Sequence, residues 1–300
     1  MRTSNAAMGL ALLILGFIWG SSFILMKFAL FDTQGDPLFP ALDVAMGRIA
    51  IAGLALLPLA WLHRRHLTKS TLPWLIVVGG VGNLLPAYLF TTAQTTIPSS
   101  VAGMLNALTP MFAFLVGVTL FKTAIKALQV AGLLLGLAGA LILAFQPGMD
   151  ASLGWDMVGG ASRVVAATAC YGVSVNLIRH KLDQVPAAAV AALSLGLMSL
   201  PAAVVTLTGP GLLMVTTHPD GVRGMIALTV LAVVGTGLAL IAFNRIIQKT
   251  NALFASTVTY IIPLFATMWG WLDDEPLTPS HLIGGVVVLM GVWLVSRGGK

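Results

Sequence analysis

Charge is what this sequence has least of. Only 9% of its 300 residues are Asp, Glu, Lys or Arg, and the acidic residues number 10. Soluble domains carry about 25% charged residues, so this chain has nothing with which to cover a water-facing surface. A soluble enzyme is excluded, and the net charge of +6 does not point to nucleic acid. Cysteine is nearly absent too. The single Cys170 rules out an internal disulfide and any cysteine-cluster metal site, and in its apolar surroundings it reads as a small helix-core residue. The five histidines (His63, His66, His180, His218, His281) all fall between the long apolar runs or, for His281, at the very edge of one. No Asp or Glu stands at the middle of such a run. A metal site, a buried proton relay or a carboxylate site for cations therefore has no carrier, and we expect neither metal nor cofactor.

What the chain has is hydrophobic length: 58% of it is hydrophobic and its mean hydropathy is +0.96. The runs are continuous rather than alternating, which fits membrane helices and not barrel strands. At about 20 residues per crossing, ten spans are expected, near 8–30, 40–61, 72–95, 98–120, 126–145, 155–179, 186–207, 222–247, 251–272 and 280–296. The first exceeds the roughly 7–15 apolar residues of a signal peptide and reads as a retained span. Polar punctuation such as "DTQGDP", "HRRHLTKS", "RHKLDQVP" and "DDEPLTPS" separates the runs.

The ten-span scheme sorts the charges. Arg2, Arg64, Arg65, Lys69, Lys122, Lys126, Arg179, Lys181, Arg245, Lys249, Arg297 and Lys300 fall on one side. Asp32, Asp36, Asp150, Asp156, Asp220, Asp273, Asp274 and Glu275 fall on the other, with Arg223 their one basic companion. Positive loops stay in the cytoplasm, so both termini are expected there.

The sequence also repeats itself. Trp19 and Tyr171, Gly20 and Gly172, Ser22 and Ser174, and Lys27 and Arg179 are each 152 residues apart. At an offset of 153, Gly82 matches Gly235, Asn83 Thr236, Phe90 Phe243, Asn106 Thr259 and Pro110 Pro263. Gly132 and Gly139 match Gly284 and Gly291 at 152. Apolar helices resemble one another by chance, but not in this order at nearly one offset. The expected domains are residues 1–148 and 149–300, two copies of a five-helix unit. Five is odd, so the second copy enters from the other side: an all-α integral membrane protein with an inverted 5+5 repeat, a plan of secondary transporters with a midplane site.

The segments "FIWGSSFILMKFAL", "NALTPMFAFLVG", "GTGLALIAFNRIIQKTNALFAS" and "YIIPLFATMWGWLDDEPLTPSHLIGGVVVLMG" resemble the drug/metabolite transporter superfamily with EamA-type repeats. The likeness covers nearly the whole chain and is most specific in the last segment. Within the superfamily the chain is most similar to YddG-type amino-acid exporters, whose substrates are chiefly aromatic. The resemblance implies export across the cell inner membrane. One departure is Thr123, where the first copy lacks the acid found at Glu275. The charge scheme puts Thr123 inside and Glu275 outside, so orientation explains it.

Polar side chains at mid-depth need a partner or a wet cavity. The candidates are Trp19, Ser22, Asn83, Tyr88, Asn106 and Thr109 in the first copy. The second supplies Thr168, Tyr171, Ser174, Thr236, Thr259 and Tyr260. Each alone is more often helix–helix glue, but Asn83/Thr236 and Asn106/Thr259 are repeat-related, as a cavity on a pseudo-two-fold axis requires. Pro110 and Pro263 would free carbonyls at that depth. Arg48 and Arg163 lie inside spans 2 and 6. A substrate carboxylate in an outer vestibule is one reading; pairing with Asp43 or Asp156, or snorkelling, is the favoured one. "GLLLGLAGA" (132–140) and "GGVVVLMG" (284–291) hold small residues that let backbones approach, expected within a monomer.

An apolar cavity with amide, hydroxyl and aromatic groups suits a neutral substrate with a large apolar part. The expected function is an alternating-access exporter of small neutral metabolites, chiefly aromatic amino acids, with other metabolites or drugs as the alternative. An intramembrane enzyme would need a metal or nucleophile constellation, and a channel would need charged rings. Neither is present in the sequence. The expected partners are the small-molecule substrate and the lipid bilayer.

Overall fold

The computed structural model describes residues 5–122, 126–144, 151–249, 255 and 257–298. Thr123, Asp150 and the terminal charges Arg2 and Lys300 lie outside the described residues. Among those described there is no strand, only an isolated bridge between Phe31 and Pro37. We number the long helical stretches α1 (Asn5–Leu30), α2 (Ala41–Ala55, prolonged by Leu57–Leu62), α3 (Leu72–Ala93), α4 (Ser99–Phe121) and α5 (Ala127–Ala144). The second half holds α6 (Ala151–Lys181), α7 (Ala187–Thr208), α8 (Gly221–Lys249), α9 (Ile262–Leu272, after a 3-10 turn Thr257–Tyr260) and α10 (Pro279–Gly298).

Six stretches are long and apolar enough to cross a membrane: Leu10–Leu30, Leu72–Ala93, Ser99–Phe121, Gly154–Lys181, Ala187–Thr208 and Gly221–Lys249. Three more apolar helices are shorter: Ala127–Leu143, Val258–Leu272 and Pro279–Val295. The protein is a multi-pass helical membrane protein. The expected second span is broken at Leu56, just before Pro58, whose missing N–H interrupts the ladder. A short helix, Gly211–Thr217, caps the α7–α8 connection, which sequence patterning did not anticipate.

Glycines draw the helices together in pairs. A Cβ on Gly132 of α5 would lie 2.5 Å from the Gly291 carbonyl oxygen of α10, and one on Gly139 would lie 2.9 Å from that of Gly284. The small-residue stripes are thus spent on packing inside one chain. Likewise a Cβ on Gly20 of α1 would meet Phe265 of α9 at 2.5 Å, and one on Gly172 of α6 would meet Phe112 of α4 at 2.6 Å. Phe112 and Phe265 are 153 apart, so the same contact is made twice with the halves exchanged.

Two interruptions also come in pairs. Gly80–Leu84 in α3 and Val233–Leu238 in α8 are wound as π-helix. In each, a polar side chain takes up a carbonyl five residues back: Asn83 Nδ2 donates to Val78 O at 2.9 Å, and Thr236 Oγ1 to Leu231 O at 3.1 Å. A π-bulge widens the helical turn, and the neighbouring glycines, Gly80 and Gly82 before Asn83 and Gly235 and Gly237 around Thr236, allow it. The α4 helix is likewise interrupted at Ala107 and Leu108, and α9 is preceded by its 3-10 turn, just ahead of Pro110 and Pro263.

Candidate functional site

The bulges and breaks meet around one cavity of about 100 Å³ at the seam between the halves. A single water needs roughly 10–15 Å³ by this measure, so several small groups fit. Of the residues singled out in the sequence, Trp19, Ser22, Asn83, Asn106, Thr109, Tyr171, Ser174, Thr236 and Thr259 line it. The α1 and α6 contributions are held by neighbouring helices. Trp19 Nε1 donates to the Gly235 carbonyl at 3.0 Å and its ring meets Phe243 edge-on at 4.8 Å. Tyr171 stacks on Phe90 at 5.9 Å, and Phe90 in turn meets Phe23. Thr109 Oγ1 donates to the Asn106 carbonyl at 2.8 Å, where the α4 break exposes it.

Three expectations are corrected. Tyr88 is 40% exposed and outside the cavity. At about 100° per residue, it lies some 140° round the helix from Asn83, whereas Phe90 returns to the cavity face. Tyr260 also points elsewhere, its hydroxyl donating to the Val292 carbonyl of α10 at 2.5 Å. Thr168 is wholly buried, bonded back to Val165 O, and does not reach the cavity.

The fourth correction is Arg48. It does not pair with Asp43, whose carboxylate accepts from Gly211 N at 2.7 Å. Nor does it pair with Asp156, which is exposed. Arg48 lines the cavity, and its Nε donates to Thr236 Oγ1 at 2.7 Å. The signal was its position one to two turns inside an apolar span; what sequence could not say was which carboxylates were already engaged. Asn244 and Ser194 also line the cavity and were not anticipated.

At the end of the helices that carries the acidic residues, the halves are clasped. Lys27 of α1 meets Asp273 at 2.5 Å and Glu275 at 3.2 Å. Glu275, 8% exposed, also accepts from Ser99 N, Ser100 N and Ser100 Oγ at the start of α4. Burial alone would push its carboxyl up, but these hydrogen bonds and the Lys27 charge together hold it below the ordinary value of 4.5. Nearby, Thr33 donates twice to Asp220, and His218 lies 3.6 Å from Asp32. The Asp32, His218 and Asp220 ligand atoms are mutually within 4.8 Å, but their hydrogen bonds to Gln34, Asp36 and Thr33 make them a loop clasp. At the opposite end the halves meet through rings: Phe121 stacks on His180 at 4.1 Å and Lys181 lies over Trp74.

The sequence and the fold are similar to those of known proteins. The chain is 24% identical to an S-adenosylmethionine/S-adenosylhomocysteine transporter of Chlamydia muridarum, over 93% of this chain and 88% of that protein. It is 22% identical to a probable terminal-alkyne amino-acid exporter of Streptantibioticus cattleyicolor, over 99% and 95%. It is 26% identical to the uncharacterized inner membrane transporter YedA of Escherichia coli, over 96% and 90%. A solved crystal structure, 20% identical, superposes with a TM-score of 0.62 over 97% of this chain and 98% of that one, which shows a common fold. Two stretches, residues 7–145 and 159–297, each match the same family unit. With nearly its whole length accounted for by that unit, taken twice, the chain belongs to the EamA-like transporter family.

Proposed function

We propose that the chain is a secondary transporter that exports small amino acids with apolar or aromatic side chains by alternating access around the seam cavity. Ten spans in two inverted five-helix repeats, residues 1–148 and 149–300, with both termini in the cytoplasm, form the frame for this reading. The observation that carries it is the cavity itself. Its wall is built from repeat-related pairs, Ser22 with Ser174 and Asn83 with Thr236 among them, so each half supplies one side. Rocking one half against the other would then open the same wall to either face. The relatives named for amino-acid export and for S-adenosylmethionine transport support an amino-acid-bearing substrate over a drug cation.

The ionisable side chains lining the cavity are Arg48 and Tyr171. Neither residue type ordinarily titrates near neutrality, so no proton need travel with the substrate. In proteoliposomes of the pure protein, labelled phenylalanine should enter saturably, faster when unlabelled phenylalanine is inside, and without an imposed pH gradient. Uptake that is linear in concentration and indifferent to internal phenylalanine would mean a pore. Absence of phenylalanine uptake would sink the substrate reading. Uptake against a concentration gradient driven by a pH difference would mean that a titratable carrier operates.

A further inference from the structure

We infer that Arg48 is the carboxylate anchor of this cavity, so that the transported molecule is a small monocarboxylate with an apolar body. The inference rests on the transport reading above only for the cavity's role; the anchor itself follows from the local chemistry. A guanidinium is charged at every physiological pH. In the interior of a membrane protein such a charge calls for a counter-charge. Among the described residues no carboxylate lies within 4.0 Å of Arg48, and Asp43 on the same helix is committed to Gly211.

The geometry leaves one edge of the guanidinium free. Thr236 accepts the Nε hydrogen and passes its own hydroxyl hydrogen to Leu231 O, just ahead of the α8 bulge. That relay fixes the Arg48 plane and occupies its Nε side. The two terminal nitrogens, which take a carboxylate in a forked pair, make no hydrogen bond to the described residues. Tyr171 lines the same cavity, and its hydroxyl likewise has no hydrogen-bond partner among the described residues, so a phenol O–H stands ready as a further donor. Beside them the Phe23–Phe90–Tyr171 ring series offers an apolar surface for the rest of the ligand. The anchor has no repeat mate, since the positions 152 and 153 further on are Leu200 and Pro201. A cavity with one cationic pole selects one anionic group at one end, and discriminates against amines that lack it.

The test is a thermal-shift panel on the purified protein, using L-phenylalanine, 3-phenylpropionate, L-phenylalanine amide and phenethylamine, on wild type, Arg48→Gln and Arg48→Lys. The two carboxylates should raise the Tm of wild type, and the amide and the amine should not. A charge-assisted hydrogen-bonded pair lost from the site weakens binding roughly 10- to 100-fold, so R48Q should need that much more carboxylate for the same shift, with R48K between the two. Unliganded R48Q should melt no lower than wild type, because it removes an unpaired charge, and this shows that the variant folds. Equal shifts with the amide or amine, an unchanged carboxylate response in R48Q, or no response to any of the four compounds in wild type would overturn the inference. Carboxylate binding lost in R48Q but without phenylalanine counterflow in wild type would keep the anchor and remove the transport reading. Counterflow that persists unchanged in R48Q would do the reverse.

Discussion

Replacing Glu275 by alanine should cost the fold about 3 kcal/mol, the low end of the range for removing one partner of a buried ion pair. The low end applies because Lys27 keeps Asp273 at 2.5 Å. What is lost is the acceptor for Ser99 N, Ser100 N and Ser100 Oγ, the orphan donors at the start of α4. Thermal melting of the purified protein should show the drop, while Asp183→Ala, an exposed change at a loop carboxylate, should leave the melt in place. The pH dependence has a definite sign. The folded Glu275 carboxyl titrates below its ordinary 4.5, so the clasp contributes fully above 4.5 and is lost as pH falls through the lower folded value. The gap between wild type and E275A should therefore close in acid and stay constant near neutrality. A constant gap down to the most acidic pH that the fold survives would show that the carboxylate charge is not what holds α4.

The second large effect is expected at Gly291. A Cβ there would sit 2.6 Å from Gly132 O and 2.7 Å from Gly136 Cα, and against Gly136 N. All three are backbone atoms of α5, and none can rotate away. Gly291→Val should cost at or above the roughly 3 kcal/mol that bounds ordinary overpacking, read as a lowered Tm and poor recovery from membranes. Two other glycines calibrate the result. Gly285 faces the flexible Met104 side chain at 3.1 Å, and Gly80 has nothing within 4 Å. Alanine at either should be far milder. If G291V melts like wild type, α5 and α10 are not packed as described.

Much of this architecture could be read before the structure. The apolar runs and their punctuation gave most helix ends within a few residues, because crossing length and Pro/Gly/Asp breaks are local properties. The exception is the ninth span, whose expected start at 251 lies outside the described residues and whose helix begins at Ile262. The repeat picked out the glycines that pack, since close approach leaves a small residue on both partners, but it did not pair them: Gly132 meets Gly291 and Gly139 meets Gly284, crosswise to the repeat mates. The candidate site was legible where depth and the repeat agreed, as at Asn83 and Thr236 or Ser22 and Ser174. It failed where depth alone was used. Tyr88 and Tyr260 meet the depth criterion in the sequence but face away from the cavity, and depth says nothing about azimuth. Arg48 failed for another reason: its partnership depended on Gly211 taking Asp43, a contact between residues 168 apart in the chain. The π-bulges have a weak signature, glycines next to a polar residue in "GVGN" and "GTG", which acquires meaning only once its carbonyl partner is known.

The claim on which the rest depends is that one cavity serves both faces of the membrane. Ser22 lines it and is 5% exposed. A single cysteine at that position, Ser22→Cys in a Cys170→Ser background, can be challenged with a membrane-impermeant maleimide from either side of oriented vesicles. The account predicts labelling from both sides and protection by phenylalanine on each. Labelling from one side alone, unaffected by phenylalanine, would contradict it.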